Sequence, residues 1–280
     1  MPELPEVETV CRIMRRVLVG HKIVDVEVAD DHLFLSGLPP EMVGAALSCR
    51  TVKEVGRKGK FWWLDTGEPP VVFAHLGMTG WIRELGAFTT RLKEHGSAPL
   101  DDDTGRPCFL KLLLTTDQGK RISFTDGRRL GRIWLGESPD KDKRVLQLGP
   151  DALDELPKGK AFAKLFEKRN APIKALLLDQ RILSGIGNWI ADEALYHARI
   201  KPARAASSLS AEELSALRRA IHYVVKTAVD AGADETKYPK GWMFHHRWGG
   251  ARGVEKIGGK QIIRDTVGGR TTAWVPSRQK

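Results

Sequence analysis

The stretch Pro2-Glu3-Leu4-Pro5-Glu6-Val7-Glu8-Thr9, running on to Leu18 and Gly20, decides how this chain begins to fold. Pro5 stands in a first helical turn, where a missing N–H costs nothing, and Glu6 and Glu8 complement the positive end of the helix dipole. Val10, Ile13, Met14, Val17 and Leu18 then recur at helical spacing, which predicts an amphipathic helix over 5–18. After Gly20 the pattern changes to short segments rich in β-branched and aromatic residues. Strands are predicted over 22–28, 51–55, 60–64, 70–75, 81–84, 109–115, 121–125 and 132–135, with Gly-bearing turns at 65–67 and 117–119. That density of strands points to a β-sandwich or barrel-like first domain carrying an N-terminal helix.

Residues 136–143 are polar, with Ser138-Pro139, and read as a linker. Helices are expected over 160–168, 173–179, 189–197 and 211–231, the last opened by Ser210 and Glu213 at capping-box spacing. Near the C-terminus, 260–263 and 271–275 read as a hairpin around Gly268-Gly269. The fold class is therefore α+β and multidomain: a β-sandwich over 1–136, a linker over 137–149, a helical domain over 150–236 and a basic β-hairpin over 237–280.

The 280 residues hold 45 Lys and Arg against 35 Asp and Glu, a formal charge of +10. From Lys237 to Lys280 ten basic residues face two acidic ones, so the last 44 residues alone carry +8. Clustered positive charge of this kind suits a polyanion. Three scattered cysteines, Cys11, Cys49 and Cys108, offer neither a disulfide framework nor a four-thiolate site. With no run of 18 apolar residues and no apolar leader after Met1, the expectation is a protein of a reducing compartment, cytoplasm or nucleus, without a membrane span.

Several residues could carry chemistry. Loss of Met1 would leave Pro2 as a free secondary amine, partly neutral near physiological pH and able to attack a sugar C1′. Glu3, next to it, could donate a proton. Gly56-Arg57-Lys58-Gly59-Lys60 reads as a basic turn, either solvated or phosphate-binding. His75-Leu76-Gly77-Met78-Thr79-Gly80 and Thr125-Asp126-Gly127-Arg128-Arg129-Leu130 read as tight loops presenting imidazole, guanidinium and apolar tips. Leu183-Ser184-Gly185-Ile186-Gly187-Asn188 joins two helical segments and leaves amides free at a helix start.

In this order, and over nearly the whole chain, these segments resemble the formamidopyrimidine-DNA glycosylase and endonuclease VIII family of base-excision repair enzymes. The resemblance implies a β-sandwich, a helix–two-turn–helix domain and a C-terminal finger acting on duplex DNA as a monomer. It also implies that Pro2 forms a Schiff base, that Glu3 protonates the sugar, and that Lys60 and Arg270 assist successive β- and δ-eliminations at an abasic site. His75, Arg169, Lys174 and Asn188 would bind DNA, the contacts of His75, Arg169 and Asn188 being to phosphates. Met78, Arg128 and Leu130 would fill the void left by the flipped base, and Arg129 would lie near the backbone. Leu130 departs from the aromatic usual in the formamidopyrimidine branch. A zinc finger of four cysteines spaced Cys-x2-Cys-x16-Cys-x2-Cys is common in the family, but its register here falls on Glu255, Gly258, Val275 and Arg278, so no metal and no cofactor is expected. The finger should be the zincless, plant-type form, held by Trp274, Ile262 and Ile263. Tyr238, Trp242, Phe244 and Trp248, in 232–250, could stack on a base or pack the finger, and packing is preferred. That segment looks short for a loop gripping 8-oxoguanine, which favours formamidopyrimidines or hydantoins. An endonuclease VIII-like preference for oxidised pyrimidines, or a noncatalytic DNA-binding relative, are the competing readings.

Overall fold

The computed structural model describes residues 2–87, 98–247 and 255–280. They form two compact units, 1–147 with 232–234 and 148–231 with 235–280, so the C-terminal hairpins belong to the same unit as the helices.

In the first unit, α1 (Leu4–Leu18) precedes β1 (Ile23–Val28), α2 (Pro40–Leu47), β2 (Glu54–Lys58), β3 (Phe61–Asp65), β4 (Val71–His75), β5 (Trp81–Glu84), β6 (Leu110–Thr116), β7 (Arg121–Thr125) and β8 (Arg132–Gly136). Two antiparallel four-stranded sheets result, ordered β1-β6-β7-β5 and β2-β3-β4-β8. Alternation makes the sandwich: β6 turns Leu110, Leu112, Leu114 and Thr116 inward and the residues between them outward. One core joins Leu112, Leu114, Ile122 and Phe124 of the first sheet to Trp62, Leu64, Val72, Ala74 and Ile133 of the second, and Val7, Val10, Cys11 and Met14 of α1 pack into it.

In this unit β2 and the linker differ from the sequence expectation. β2 runs over Glu54–Lys58, not 51–55, so most of the supposed basic turn is strand and only Gly59-Lys60 turns. The cause is Gly56, which looks like a strand breaker but lies opposite Trp63, whose indole would come within 2.1 Å of any Cβ at 56. The polar linker also contains a short helix, α3 (Lys143–Leu146), capped by Asp142. Its Val145 covers Trp63, Val71, Phe73 and Trp134 on the outer face of the second sheet.

The second unit contains α4 (Gly159–Lys164), α5 (Ile173–Leu178), α6 (Asn188–Ala198) and α7 (Ala211–Asp230), then β9 (Lys256–Ile257), β10 (Lys260–Gln261), β11 (Ile263–Val267) and β12 (Arg270–Trp274). Ser210 and Glu213 close the expected capping box, Glu213 N–H donating to Ser210 Oγ at 3.2 Å and Ser210 N–H to Glu213 Oε2 at 2.8 Å. Gln180 ties the double turn between α5 and α6, donating to the carbonyls of Leu178 and Ile186 and accepting from Gly185 N–H at 3.0 Å. The C-terminal hairpin is shifted from the expected register: Ile263–Val267 pairs with Arg270–Trp274, and Lys260-Gln261 pairs with Lys256-Ile257 as a separate ladder.

Candidate DNA-processing site

The head of α1 is built by its own sequence. Glu3 is the N-cap residue and only 2% exposed, Pro2 is buried, and the Glu3 N–H donates to Glu6 Oε2 at 2.9 Å. Burial, followed by the charge of Glu3, raises the Glu6 pKa to about 7. Glu6, unremarked in the sequence beyond its dipole role, therefore fixes the backbone beside Pro2 while carrying a proton through most of the acidic range.

One turn on, Glu8 gathers Arg12 (3.2 Å), Arg15 (2.7 Å) and Arg57 (3.0 Å). Burial alone would raise its pKa, but the bonds from Arg15 and Arg57 outweigh that and hold it below the usual carboxylate value. Arg57 donates onward to the Gly59 carbonyl at 3.0 Å, which links α1 to the turn carrying Lys60. The basic cluster thus divides: Arg57 is a buried brace and Lys60 is half-exposed on the turn.

His75 ends β4, with its ring stacked on Phe61 and its Nδ1 accepting the Gly77 N–H at 2.9 Å. Burial, then the charges of Arg132 and Arg144, lower its pKa to about 4. At neutral pH it is a neutral ring whose Nε2–H is left to donate.

The His75–Gly80 and Thr125–Gly131 loops are one structure because Asp126, fully buried, accepts from Thr79 Oγ1 (2.7 Å), Arg128 N–H (3.2 Å) and Gly131 N–H (2.7 Å). Gly77, at φ +61°, lies so close to the Leu130 carbonyl that a Cβ would come within 2.4 Å of its oxygen. Met78 and Arg128 are exposed and Leu130 is half-buried on this platform. Among the described residues the Arg128 guanidinium makes no hydrogen bond or ion pair, whereas Arg129 is clamped to Asp31 at 2.8 Å beside Lys111. Burial alone would raise the Asp31 pKa; the Arg129 and Lys111 bonds override it and lower it strongly.

In the second unit Asn188 opens α6 and donates from Nδ2 to the Thr271 carbonyl at 3.0 Å, one residue from Arg270 at the exposed start of β12. Arg169 is exposed. Lys174 is not: it is 0% exposed, its Nζ lies 2.6 Å from Asp192 Oδ1, and it donates to Thr272 Oγ1 (2.7 Å) and the Thr271 carbonyl (3.2 Å). The expectation that Lys174 touches DNA is therefore corrected; its charge is spent inside the protein, positioning the strand that bears Arg270. Asp192 also accepts from Arg247 (2.7 Å) and Ala273 N–H (3.2 Å). Arg247 and Arg264, which the sequence reading passed over, line a pocket of about 250 Å³ with Asn188, Thr271 and Ala273.

The four finger positions do not suit a metal. Glu255 pairs with Arg264 at 2.6 Å, Gly258 turns at φ +55°, Val275 is buried, and Arg278 lies over the Tyr196 ring at 4.4 Å. Ile257, Ile262, Ala273 and Val275 pack with Tyr196 and Met243 instead. Ile262 and Trp274 are buried as expected, but Ile263 is only half-buried and contributes less than Ile257 and Val275. Among the described residues no group of three or more His, Cys, Asp or Glu could hold a metal. Tyr238, Trp242 and Phe244 are buried against Trp189, so they pack rather than face a ligand; Trp248 lies outside the described residues.

The sequence model of the formamidopyrimidine-DNA glycosylase N-terminal domain matches residues 1–133, and that of the glycosylase H2TH domain matches 148–240. The chain belongs to the formamidopyrimidine-DNA glycosylase family. A formamidopyrimidine-DNA glycosylase of Arabidopsis thaliana is 41% identical over all of this chain and 71% of the relative, and one of Geobacter sulfurreducens is 35% identical over the full length of both. Among solved structures, MutM in complex with carbocyclic 8-oxo-G containing DNA aligns over the whole of both chains with a TM-score of 0.81 at 25% identity. The wild-type Lactococcus lactis Fpg (MutM) in complex with N7-benzyl-Fapy-dG containing DNA gives the same coverage, TM-score and identity. Within this glycosylase family the head of α1, the Lys60 turn and the loops held by Asp126 form the candidate chemistry of one unit, and Asn188 with Arg270 that of the other.

Proposed function

We propose that this glycosylase removes oxidised bases from duplex DNA and then cleaves the abasic strand as a lyase. The observation that carries this reading is the head of α1, where Pro2 and Glu3 are both buried and Glu6 pins the intervening backbone. Removal of Met1 frees the Pro2 amine at a helix N-terminus, whose dipole favours the neutral, nucleophilic amine. The Pro2 nitrogen attacks C1′ and the C1′–N bond to the base breaks, the base leaving with the proton that the amine gives up; Glu3 then protonates O4′, the C1′–O4′ bond opens, and a ring-opened iminium remains. That cation acidifies C2′; loss of the C2′ proton expels the 3′ phosphate, with Lys60 on the phosphate side. Arg270 assists the second elimination, which releases the 5′ phosphate.

Formamidopyrimidines and hydantoins are the preferred lesions in this reading, because Tyr238, Trp242 and Phe244 are spent in packing. Paired excision rates test the order, and fastest removal of 8-oxoguanine refutes it. The finger works without zinc, so prolonged chelation leaves melting temperature and strand nicking unchanged. Borohydride trapping tests the chemistry as a whole: wild type forms a covalent adduct with lesion-bearing duplex and Pro2→Gly does not. An adduct that survives Pro2→Gly removes the mechanism. Glu3→Gln is expected to lose base excision while still acting on preformed abasic sites.

A further inference from the structure

Phe109 is placed as no other described aromatic residue of its unit is. Phe109 is 61% exposed, whereas Phe34, Phe73 and Phe124 are buried in the sandwich. Its backbone sits at φ +59°, the left-handed region, which is costly for a bulky residue. Exposure of an aromatic ring contributes nothing to folding, and strain kept at such a position marks a site held for another purpose.

Both the backbone and the ring of Phe109 are attached to the loop that bears Arg128 and Leu130. Its carbonyl accepts the Asp126 N–H at 3.0 Å. Its ring abuts Gly127, where a Cβ would meet Cγ and Cδ2 at 3.2 Å. Phe109 therefore moves with Asp126, the carboxylate that fixes the void-filling loops. The wedge of this chain is Leu130, an aliphatic residue without a π face, and the exposed aromatic surface lies on the neighbouring strand end instead.

We propose that Phe109 is a further specificity-determining residue, whose exposed ring stacks on a base of the duplex beside the vacated position and supplies the aromatic surface that Leu130 lacks. This inference rests on the function proposed above. Stacking of a base on an aromatic side chain is sequence-tolerant and strong enough to be read as a change in affinity.

The test compares wild type, Phe109→Ala, Phe109→Leu and Phe109→Tyr for equilibrium binding to a duplex containing a tetrahydrofuran abasic-site analogue and to the same duplex undamaged. Phe109→Ala and Phe109→Leu are expected to bind the abasic duplex about tenfold more weakly and Phe109→Tyr within about twofold of wild type. The loss should be confined to the damaged duplex, and KM should rise on lesion substrates more than kcat falls. Phe109→Leu decides the matter, because leucine keeps the bulk that props Gly127 without offering a ring face. Wild-type affinity in Phe109→Leu, or an equal loss on undamaged duplex, overturns the proposal. If wild type itself forms no borohydride adduct, the functional reading fails separately from this one.

Discussion

Substituting Asp192 should loosen the strand that carries Arg270, and the size of the effect follows from its partners. Asp192 and Lys174 are both fully buried at 2.6 Å, Arg247 is nearly buried at 2.7 Å, and Ala273 N–H points at the same carboxylate. In Asp192→Ala the buried cations Lys174 and Arg247 each lose this carboxylate and one buried N–H loses its acceptor. Breaking a buried pair from one side costs about 3–5 kcal/mol. At roughly 3 °C per kcal/mol for a unit of this size, that is a fall of about 12 °C in melting temperature. Lys174→Met should cost less, about 1–3 kcal/mol, because Asp192 keeps Arg247 and Ala273. Calorimetry on wild type, both single variants and the double variant gives the coupling directly. Product analysis on abasic duplex should also show δ-elimination reduced relative to β-elimination, since β12 loses its hold at Thr271, Thr272 and Ala273. A loss below about 1 kcal/mol in Asp192→Ala, or additive single variants, would refute the reasoning.

Other consequences can be measured independently. His75 is neutral well below physiological pH, so His75→Ala should weaken duplex binding without changing the slope of log affinity against log salt. Because its folded pKa of about 4 lies below the unfolded value, the stability linked to His75 is present above pH about 6.5 and lost as pH falls toward 4, which urea unfolding at several pH values would show. Glu6 has the opposite sign for an acid: its folded pKa is raised to about 7 from 4.5, so stability falls as pH rises between those values. Glu6→Gln should therefore match wild type near pH 4.5 and exceed it by about 3 kcal/mol above pH 7, and a pH-independent difference in unfolding free energy would contradict this. Gly77→Ala combines a strained φ of +61° with a Cβ 2.3 Å from the Leu130 carbonyl carbon, so lesion excision should drop by roughly 100-fold or more while the fold survives, as circular dichroism and excision rates would show.

Much of the fold was legible because local signals agreed. Pro5 with Glu6 marked the start of α1, alternation marked β6, and Ser210 with Glu213 marked α7. What escaped the sequence depended on partners distant along the chain. Gly56 reads as a turn residue until Trp63 is placed across from it. Lys174 reads as a DNA contact until Asp192, on the far side of the double turn, neutralises it. The hairpin register is ambiguous in the sequence because Ile262 and Ile263 are alike there, although Ile262 joins the core and Ile263 begins the paired strand. The motif residues at the head of α1 and in the two loops were readable from the resemblance, but Glu6 as a proton-bearing brace and Asp126 as a hub depend on burial and on partners that no motif contains.

Asp126 has one more consequence, for the ageing of the protein. Asp126-Gly127 is a dipeptide prone to rearrange, because an unhindered glycine nitrogen can attack the aspartyl side chain, close a succinimide and reopen it as isoaspartate. Closure requires the carboxyl to swing toward the Gly127 nitrogen and to take up a proton. Here both oxygens are occupied, one by Thr79 and Arg128 and the other by Gly131, and the group is sealed from water. The contacts that hold the His75–Gly80 and Thr125–Gly131 loops together thus also protect this bond from spontaneous chemical damage, and a chain lacking the Thr79 hydroxyl should accumulate isoaspartate at 126 faster on storage.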